Sequence, residues 1–476
     1  MPDVTPAARI RARLSHPVID ADGHTIEFLP AVRDELRTLA GTQAAEQLDR
    51  VLDFARVSRA LTPDQRRAIG LPRLPWWGLP ARNTLDRATA MLPRLLHQRL
   101  DELGVDFAVL YPTYGLFALA VPEDEVRQAA CRAFNRHLAS VFPGDGLGDR
   151  LTPAALIPMH TPAEAVAELD HAVGQLGLKA AVLAGHVHRP LPVEGAPRGA
   201  RWIDTFGPDS PHDYDPVWAR CRELGVAPTF HSSSMSWHGR ASLTSYVANH
   251  IGSFAAAGEA TCRALFLAGV TRRFPELRFA FLEGGVAWAC ELYAGIVGHW
   301  EKRHGDRLEH YNPAHLDRAL LADLVRRHGS PALTARLDRL AEGLTCLSEP
   351  DEDPATLDEF AAAGIARAED IRELFVERFH FGCEADDHLA AVAFDARVNP
   401  LGARLKAVFS SDIGHWDVPD MREVLPEAYA MVESGVLGEE DFRDFVFANA
   451  ASLWAGVNPR FFAGTAVESA VASLAR

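Results

Sequence analysis

Eight short apolar runs, each separated from the next by sequence of helical periodicity, constrain this chain more than any other feature. They are Val18 to Asp22, Phe107 to Tyr111, Ala154 to Pro158, Lys179 to Leu183, Val226 to His231, Leu277 to Leu282, Arg378 to Cys383 and Ala407 to Ser411. Runs of this length bounded by turn residues read as buried strands. Between them lie helical stretches. In Glu123 to Phe142, the residues Val126, Ala130, Phe134, Leu138 and Val141 repeat at helical spacing. A helix from Pro162 to Leu176 opens with Thr161 as N-cap and Glu164 three residues later, a capping box. A third, Gly258 to Phe274, stops before Pro275.

Strands alternating with helices predict a parallel α/β fold, and eight of them favour a (β/α)8 TIM-like barrel over an open doubly wound sheet. No G-x-G-x-x-G follows the first strand, which removes the dinucleotide-binding reading. A chain of 476 residues exceeds a bare barrel. Three long, mainly helical insertions account for the excess, at about residues 30–100, 185–216 and 300–377. We therefore expect residues 1–476 to form one elaborated barrel.

Sixty-four acidic against 48 basic side chains, a net charge of −16, exclude a nucleic-acid binder with its basic footprint. No stretch of about 18 apolar residues exists to span a membrane, and Met1 to Pro17 has no apolar core of a signal peptide. The six cysteines (131, 221, 262, 290, 346 and 383) include no C-x-x-C spacing, so neither a disulfide framework nor a cysteine metal site is expected. A cytoplasmic enzyme acting on a small molecule is the simplest expectation. A homodimer is an open option, with the helical insertion Trp300 to Glu377 as its candidate contact.

The chemistry gathers at strand ends. The first strand closes Asp20-Ala21-Asp22-Gly23-His24, and alternate residues share a strand face, so Asp20, Asp22 and His24 are expected to point together into the barrel mouth. His231 closes the fifth run, Glu283 the sixth, in Leu282-Glu283-Gly284-Gly285, and Asp412 the eighth. Polar residues at the C-terminal ends of barrel strands converge on one point.

These residues resemble the amidohydrolase superfamily, in the branch that includes aminocarboxymuconate-semialdehyde decarboxylase. The carriers are Val18 to Glu27, Phe230-His231, Arg273 to Phe279, Ser410 to His415 and Ala448 to Trp454. The resemblance implies one divalent metal held by Asp22, His24, His231 and Asp412. Asp22 stands where many members carry histidine, and Glu283 where the decarboxylases keep a catalytic histidine. Two imidazoles with two carboxylates suit zinc first, with manganese or iron as alternatives. A bound ion can lower the pKa of its water from about 15.7 toward about 7. Asp412 would then act as general base, and Glu283 as a second acid/base, a further ligand or a structural carboxylate.

Other residues carry two readings each. His186 and His188 follow the fourth run in a Pro/Gly-rich stretch, and His238 and Arg240 follow the fifth; each pair is a candidate for substrate contact or for surface structure. His250 is assigned to the catalytic set, with a buried core histidine as the alternative. His415, three residues past Asp412, is placed in contact with substrate or just outside the ligands. Trp76 and Trp77 offer an aromatic lid or simple packing. No G-x-S-x-G elbow supports a serine nucleophile. The leading expectation is a hydrolase cleaving a C–N or C–C bond beside a carbonyl with metal-activated water. The alternative is a non-oxidative carboxy-lyase of an aromatic or enoic acid, with Glu283 in place of histidine weighing toward hydrolysis.

Overall fold

The computed structural model describes residues 4–474 apart from 76–77, 143, 198, 232–236, 238–240 and 346–355. The expected lid pair Trp76 and Trp77, and the expected substrate residues His238 and Arg240, lie outside the described residues.

Among the described residues ten strands form: β1 (Ile19–Thr25), β2 (Phe107–Pro112), β3 (Leu151–Ile157), β4 (Ala180–Leu183), β5 (Val187–Pro190), β6 (Arg201–Asp204), β7 (Pro228–His231), β8 (Phe279–Leu282), β9 (Phe379–Cys383) and β10 (Lys406–Phe409). Eight of them make one sheet in the order β1-β2-β3-β4-β7-β8-β9-β10, with parallel pairing throughout. These are the eight expected runs. The sheet curls into a (β/α)8 barrel in which the segment after β10 meets β1. The Asp412 N–H donates to the Asp22 carbonyl at 2.9 Å and the His24 N–H to the Ile413 carbonyl at 3.0 Å.

Strand alternation sorts the side chains. Phe279, Phe281, Phe379 and Phe381 face the surrounding helices, where Phe281 meets Trp288 at 5.9 Å and Phe379 meets Phe375 at 5.1 Å between ring centroids. All four are buried, and truncating one to alanine would cost about 3–5 kcal/mol. The alternate residues Ala280, Leu282, His380 and Gly382 face inward. A Cβ on Gly382 would lie 2.7 Å from Ser410 Oγ and 3.0 Å from Leu282 Cα, so the barrel can close only with glycine there.

The helices follow their local signals, with two corrections. The capping box at Thr161 and Glu164 forms, but the α-helix Pro162–Leu169 continues as a π-helical turn, Asp170–Gln175. The expected helix 258–274 is two helices, Ser253–Leu267 and Val270–Arg273, because Gly269 takes φ +69° and breaks the ladder.

The insertions differ in placement. The first holds the helices Leu29–Ala60, Pro63–Ile69, Thr84–Met91 and Pro93–Leu103, and it walls the barrel mouth. In the second, β5 and β6 pair as an antiparallel hairpin, clasped by Arg189 Nε donating to Asp204 at 2.9 Å. The third begins after the helix Ala287–Arg303, which starts just past the C-terminal end of β8. Seventeen helical residues extend about 25 Å, so the insertion leaves the barrel far from the mouth.

Candidate metal centre

β1 carries the first part of the site, and its pairing with β2 shifts register between Asp20 and Gly23. That irregularity separates two carboxylates which a regular strand would keep on one face. Asp20 turns to the barrel seam: Oδ1 accepts the Ser411 N–H at 3.0 Å and the Asp22 N–H at 3.2 Å, and Oδ2 accepts the Ser411 hydroxyl at 2.5 Å. The expectation that Asp20 shares the cluster of Asp22 and His24 is therefore corrected; it locks β1 to the chain after β10.

Asp22 and His24 meet His231 from β7. His24 Nε2 and His231 Nε2 are 2.9 Å apart, and Asp22 Oδ1 stands 3.7 Å and 3.5 Å from them. Asp412 Oδ1 lies 3.2 Å from His24 Nε2, and Glu283 Oε2 lies 3.2 Å from His231 Nε2. His415 Nδ1 is 2.7 Å from Asp412 Oδ1, and its ring stacks on His24 at 3.7 Å between centroids. These side chains are all buried. The strand ends thus bring together five of the expected residues, with His415 beside them.

Two of those carboxylates strain the backbone. Glu283 has φ +57° and Asp412 φ +49°, a left-handed conformation that side-chain-bearing residues adopt at a cost of about 1–2 kcal/mol. Such strain persists where surrounding packing holds it, and it concentrates at functional sites.

The electrostatics are one-sided. Burial pushes Asp22 well above the usual carboxylate range, and Asp412, Asp20 and Glu384 add to it. Burial likewise raises Asp412 to about 8, Asp417 to about 8 and Glu384 to about 9. Glu283 is raised well above its usual value by burial and then by Asp412, Glu384, Asp22 and Asp417. The imidazoles move the opposite way: burial drives His231 to about 3 and His415 to about 4, and holds His24 well below its usual value. Neutral imidazoles offer lone pairs, and massed carboxylates invite a cation.

A divalent ion fits this donor set. Two imidazole nitrogens on one ion at about 2.0–2.1 Å each stand roughly 3 Å apart, close to the observed 2.9 Å. Neither oxygen of buried Asp22 accepts a hydrogen bond, so a ligand is what would satisfy them. Asp22, His24 and His231 gather ligand atoms within 4.8 Å of one another, as do His24, Glu283, Asp412 and His415, so the two groups adjoin at His24 and an ion held by Asp22, His24 and His231 would have Asp412 beside it.

A cavity of about 540 Å³ opens above the cluster, lined by Glu283, His250 and His415 and walled by Tyr114, Phe117 and Trp416. Arg59 and Arg87, from the first insertion, stand in the same wall. His250 packs against Trp416 at 5.5 Å and Tyr246 at 5.2 Å between ring centroids, at the cavity wall rather than among the ligand atoms. His186 and His188 do not line this cavity. They face each other at 3.1 Å, His188 in β5 and His186 just before it, because the second insertion folds as a hairpin.

Sequence reading missed Glu384, Asp417, Arg59 and Arg87. Glu384 directly follows β9 and was open to the strand-end rule that found Glu283. Asp417 lies two residues past His415, and the two arginines carried no local signal. Glu27 was missed as well: its buried carboxylate accepts the Tyr114 and Gly115 N–H groups at 2.9 Å and 2.8 Å, which fixes the loop that walls the cavity.

The sequence matches the family model described as "Amidohydrolase" over residues 19–456. It is 30% identical over 158 residues to decarboxylase orsB of Emericella nidulans, a match spanning 31% of this chain and 42% of that relative. Among solved structures, an amidohydrolase of Mycobacterium avium subsp. paratuberculosis K-10 superposes with TM-score 0.51 at 18% identity, covering 93% of this chain and 100% of that one. The 2,6-dihydroxybenzoate decarboxylase from Rhizobium gives TM-score 0.46 at 16% identity, covering 92% and 98%. Among the described residues no helix is long and apolar enough to cross a membrane.

Proposed function

We propose, from the premise that the chain belongs to the amidohydrolase family, that it is a metal-dependent carboxy-lyase removing carbon dioxide from a small aromatic or enoic acid. The observation that carries this reading is the place of Glu283. Its carboxyl is buried at the floor of the cavity, with Oε2 3.2 Å from His231 Nε2, where it would face a substrate lying over the cluster. The sequence alone weighed glutamate at this position against decarboxylation. A carboxyl so placed can take the part of the missing histidine, because loss of carbon dioxide requires a proton donor at the carbon left behind. The name of the 30% identical relative, a decarboxylase, supports the same reading.

In this reading Asp22, His24, His231 and Asp412 hold one divalent ion, zinc, manganese or iron. A divalent ion held there would supply positive charge for a substrate oxygen. Arg59 and Arg87 form no ion pair with any described residue and would hold an anionic oxygen at the far wall. Tyr114, Phe117 and Trp416 would pack a planar ring. Glu283 donates its proton to the carbon bearing the carboxylate. The C–C bond then breaks, its electron pair returns to the ring or double bond, carbon dioxide departs, and Glu283 recovers a proton from solvent.

The hydrolase reading rests on Asp412, whose Oδ1 stands 3.2 Å from His24 Nε2 and 2.7 Å from His415 Nδ1, where a general base would act. One experiment separates the two. Protein loaded with manganese or zinc is incubated in D2O with hydroxybenzoic and enoic acids, and in parallel with amides and lactones. Carbon dioxide release with one deuterium at the vacated carbon is expected. Turnover of amides or lactones without any carbon dioxide would sink the lyase proposal.

A further inference from the structure

The floor of the cavity is reached from two sides. Besides the cavity walled by Arg59 and Arg87, a cleft of about 370 Å³ leads to the same place, and the two meet at Glu283 and His250, which line both. Their charges are opposite. The described lining of the first carries two arginines and no carboxylate apart from Glu283. That of the cleft carries Glu384, Asp386 and Asp387 and neither arginine nor lysine.

Two strand ends build the cleft. Glu384, Asp386 and Asp387 follow β9, and Gly285 lies just past β8. Gly285 has φ +67°, and a Cβ on it would stand 2.7 Å from Asp387 Oδ2, so only glycine lets that carboxylate close the wall. Asp387 Oδ1 accepts the Leu389 N–H at 3.0 Å, which fixes it there. The carboxylates then descend from solvent. Asp386 is exposed, Asp387 and Glu384 are half-buried, and Glu283 is only 7% exposed, with an Oε2 that accepts no hydrogen bond. Glu384 links the series: Asp386 and Asp387 act on it from the surface, and Asp412 from the metal centre.

We infer that the divalent ion reaches its ligands through this acidic cleft, leaving the arginine-walled cavity to the substrate. The inference rests on the metal centre and on neither reading of the reaction. A cleft lined by one sign of charge concentrates ions of the other and speeds their arrival. Carboxylate oxygens spaced from the surface to the floor replace the ion's water in steps, and Glu283 Oε2 is the last of them before His231, 3.2 Å away. Two arginines at the other mouth repel a cation and attract an acid. Separate routes keep an acid in the first cavity from shutting the ion's path.

Stopped-flow uptake of Co2+ by the metal-free full chain, followed by its visible absorption, tests this beside an equilibrium titration. D386K should slow uptake by roughly 10-fold at low ionic strength, an effect that fades as salt screens the charge. L389W narrows the cleft at a residue 57% exposed. It should slow uptake and release by a common factor and leave Kd unchanged, which damage to the ligands would not do. R59Q should load at the wild-type rate. Wild-type uptake in either cleft variant overturns the inference, as does faster uptake in R59Q, which would put the route through the first mouth. A wild type that binds no Co2+ at equilibrium removes the metal centre itself, and the inference with it.

Discussion

His24 and His231 present their Nε2 atoms to each other across 2.9 Å with ring planes at 89°. Two imidazoles in that pose have one proton to share, or both lone pairs point at a common ion. Asp22, buried and accepting no hydrogen bond, stands within 4 Å of both nitrogens. The arrangement is costly when empty of positive charge and favourable when a cation is present, and the first prediction follows from that balance.

Chelation should lower the melting temperature and a stoichiometric divalent ion restore it, since a ligand that binds only the folded state stabilises it by mass action. D22N should behave oppositely in the two states. The metal-free variant is expected to be more stable than metal-free wild type, because an amide carries no charge to be desolvated and needs no buried proton. It should gain little from added metal. Calorimetry with and without metal reads both, and equal metal stabilisation of the variant would remove Asp22 from the ligand set.

Glu283→Gln should retain metal and lose roughly 10²–10⁴-fold in turnover, the usual contribution of a positioned acid. Glu283→Gly should also relieve the left-handed strain, raising stability by on the order of 1 kcal/mol while activity stays abolished. Metal analysis, steady-state kinetics and urea denaturation on both variants check this. Undiminished turnover in E283Q would end the role assigned to its proton.

Ser411→Ala removes the hydroxyl that donates to Asp20 Oδ2 and is expected to cost about 1.5–3 kcal/mol. Ser411 precedes Asp412, so metal affinity should fall as well, by roughly 10-fold or more. Wild-type metal affinity in a destabilised S411A would confine the seam to a structural role.

Acid should destabilise the protein through His160. Burial, then Arg127, Arg189 and His188, hold its pKa at about 3, against Asp124, which raises it. Glu164 Oε1 lies 3.8 Å from its Nδ1. Between the usual 6.5 and about 3 the unfolded chain binds a proton that the folded chain refuses. Stability is therefore fully present above pH 6.5 and declines as pH falls, by up to about 1.4 kcal/mol per pH unit for this one group. Urea denaturation of wild type and H160N at several pH values should show a shallower slope in the variant; parallel slopes would contradict the assignment.

The sequence was sufficient for the barrel because strand and helix periodicity are local properties. All eight runs became parallel strands in chain order, and the strand ends bring Asp22, His24, His231, Glu283 and Asp412 close together as their positions in the sequence implied. Sequence reading missed the β5/β6 hairpin that carries His188 away from the cavity lining, since no local pattern announced its partner strand.

Three things were decided only by tertiary structure. Asp20 and Asp22 are two residues apart and chemically alike, yet one locks the seam through Ser411, 391 positions away, and the other joins the imidazoles. Glu283 reads as an ordinary carboxylate in sequence, yet burial first, and then Asp412, Glu384, Asp22 and Asp417, raise it well above its usual range. Arg59 and Arg87 enter the cavity from an insertion with no motif of its own. Apolar spacing is written along the chain and dictates where it folds. Charge state depends on burial and on neighbours from distant segments, and those exist only once the barrel has closed.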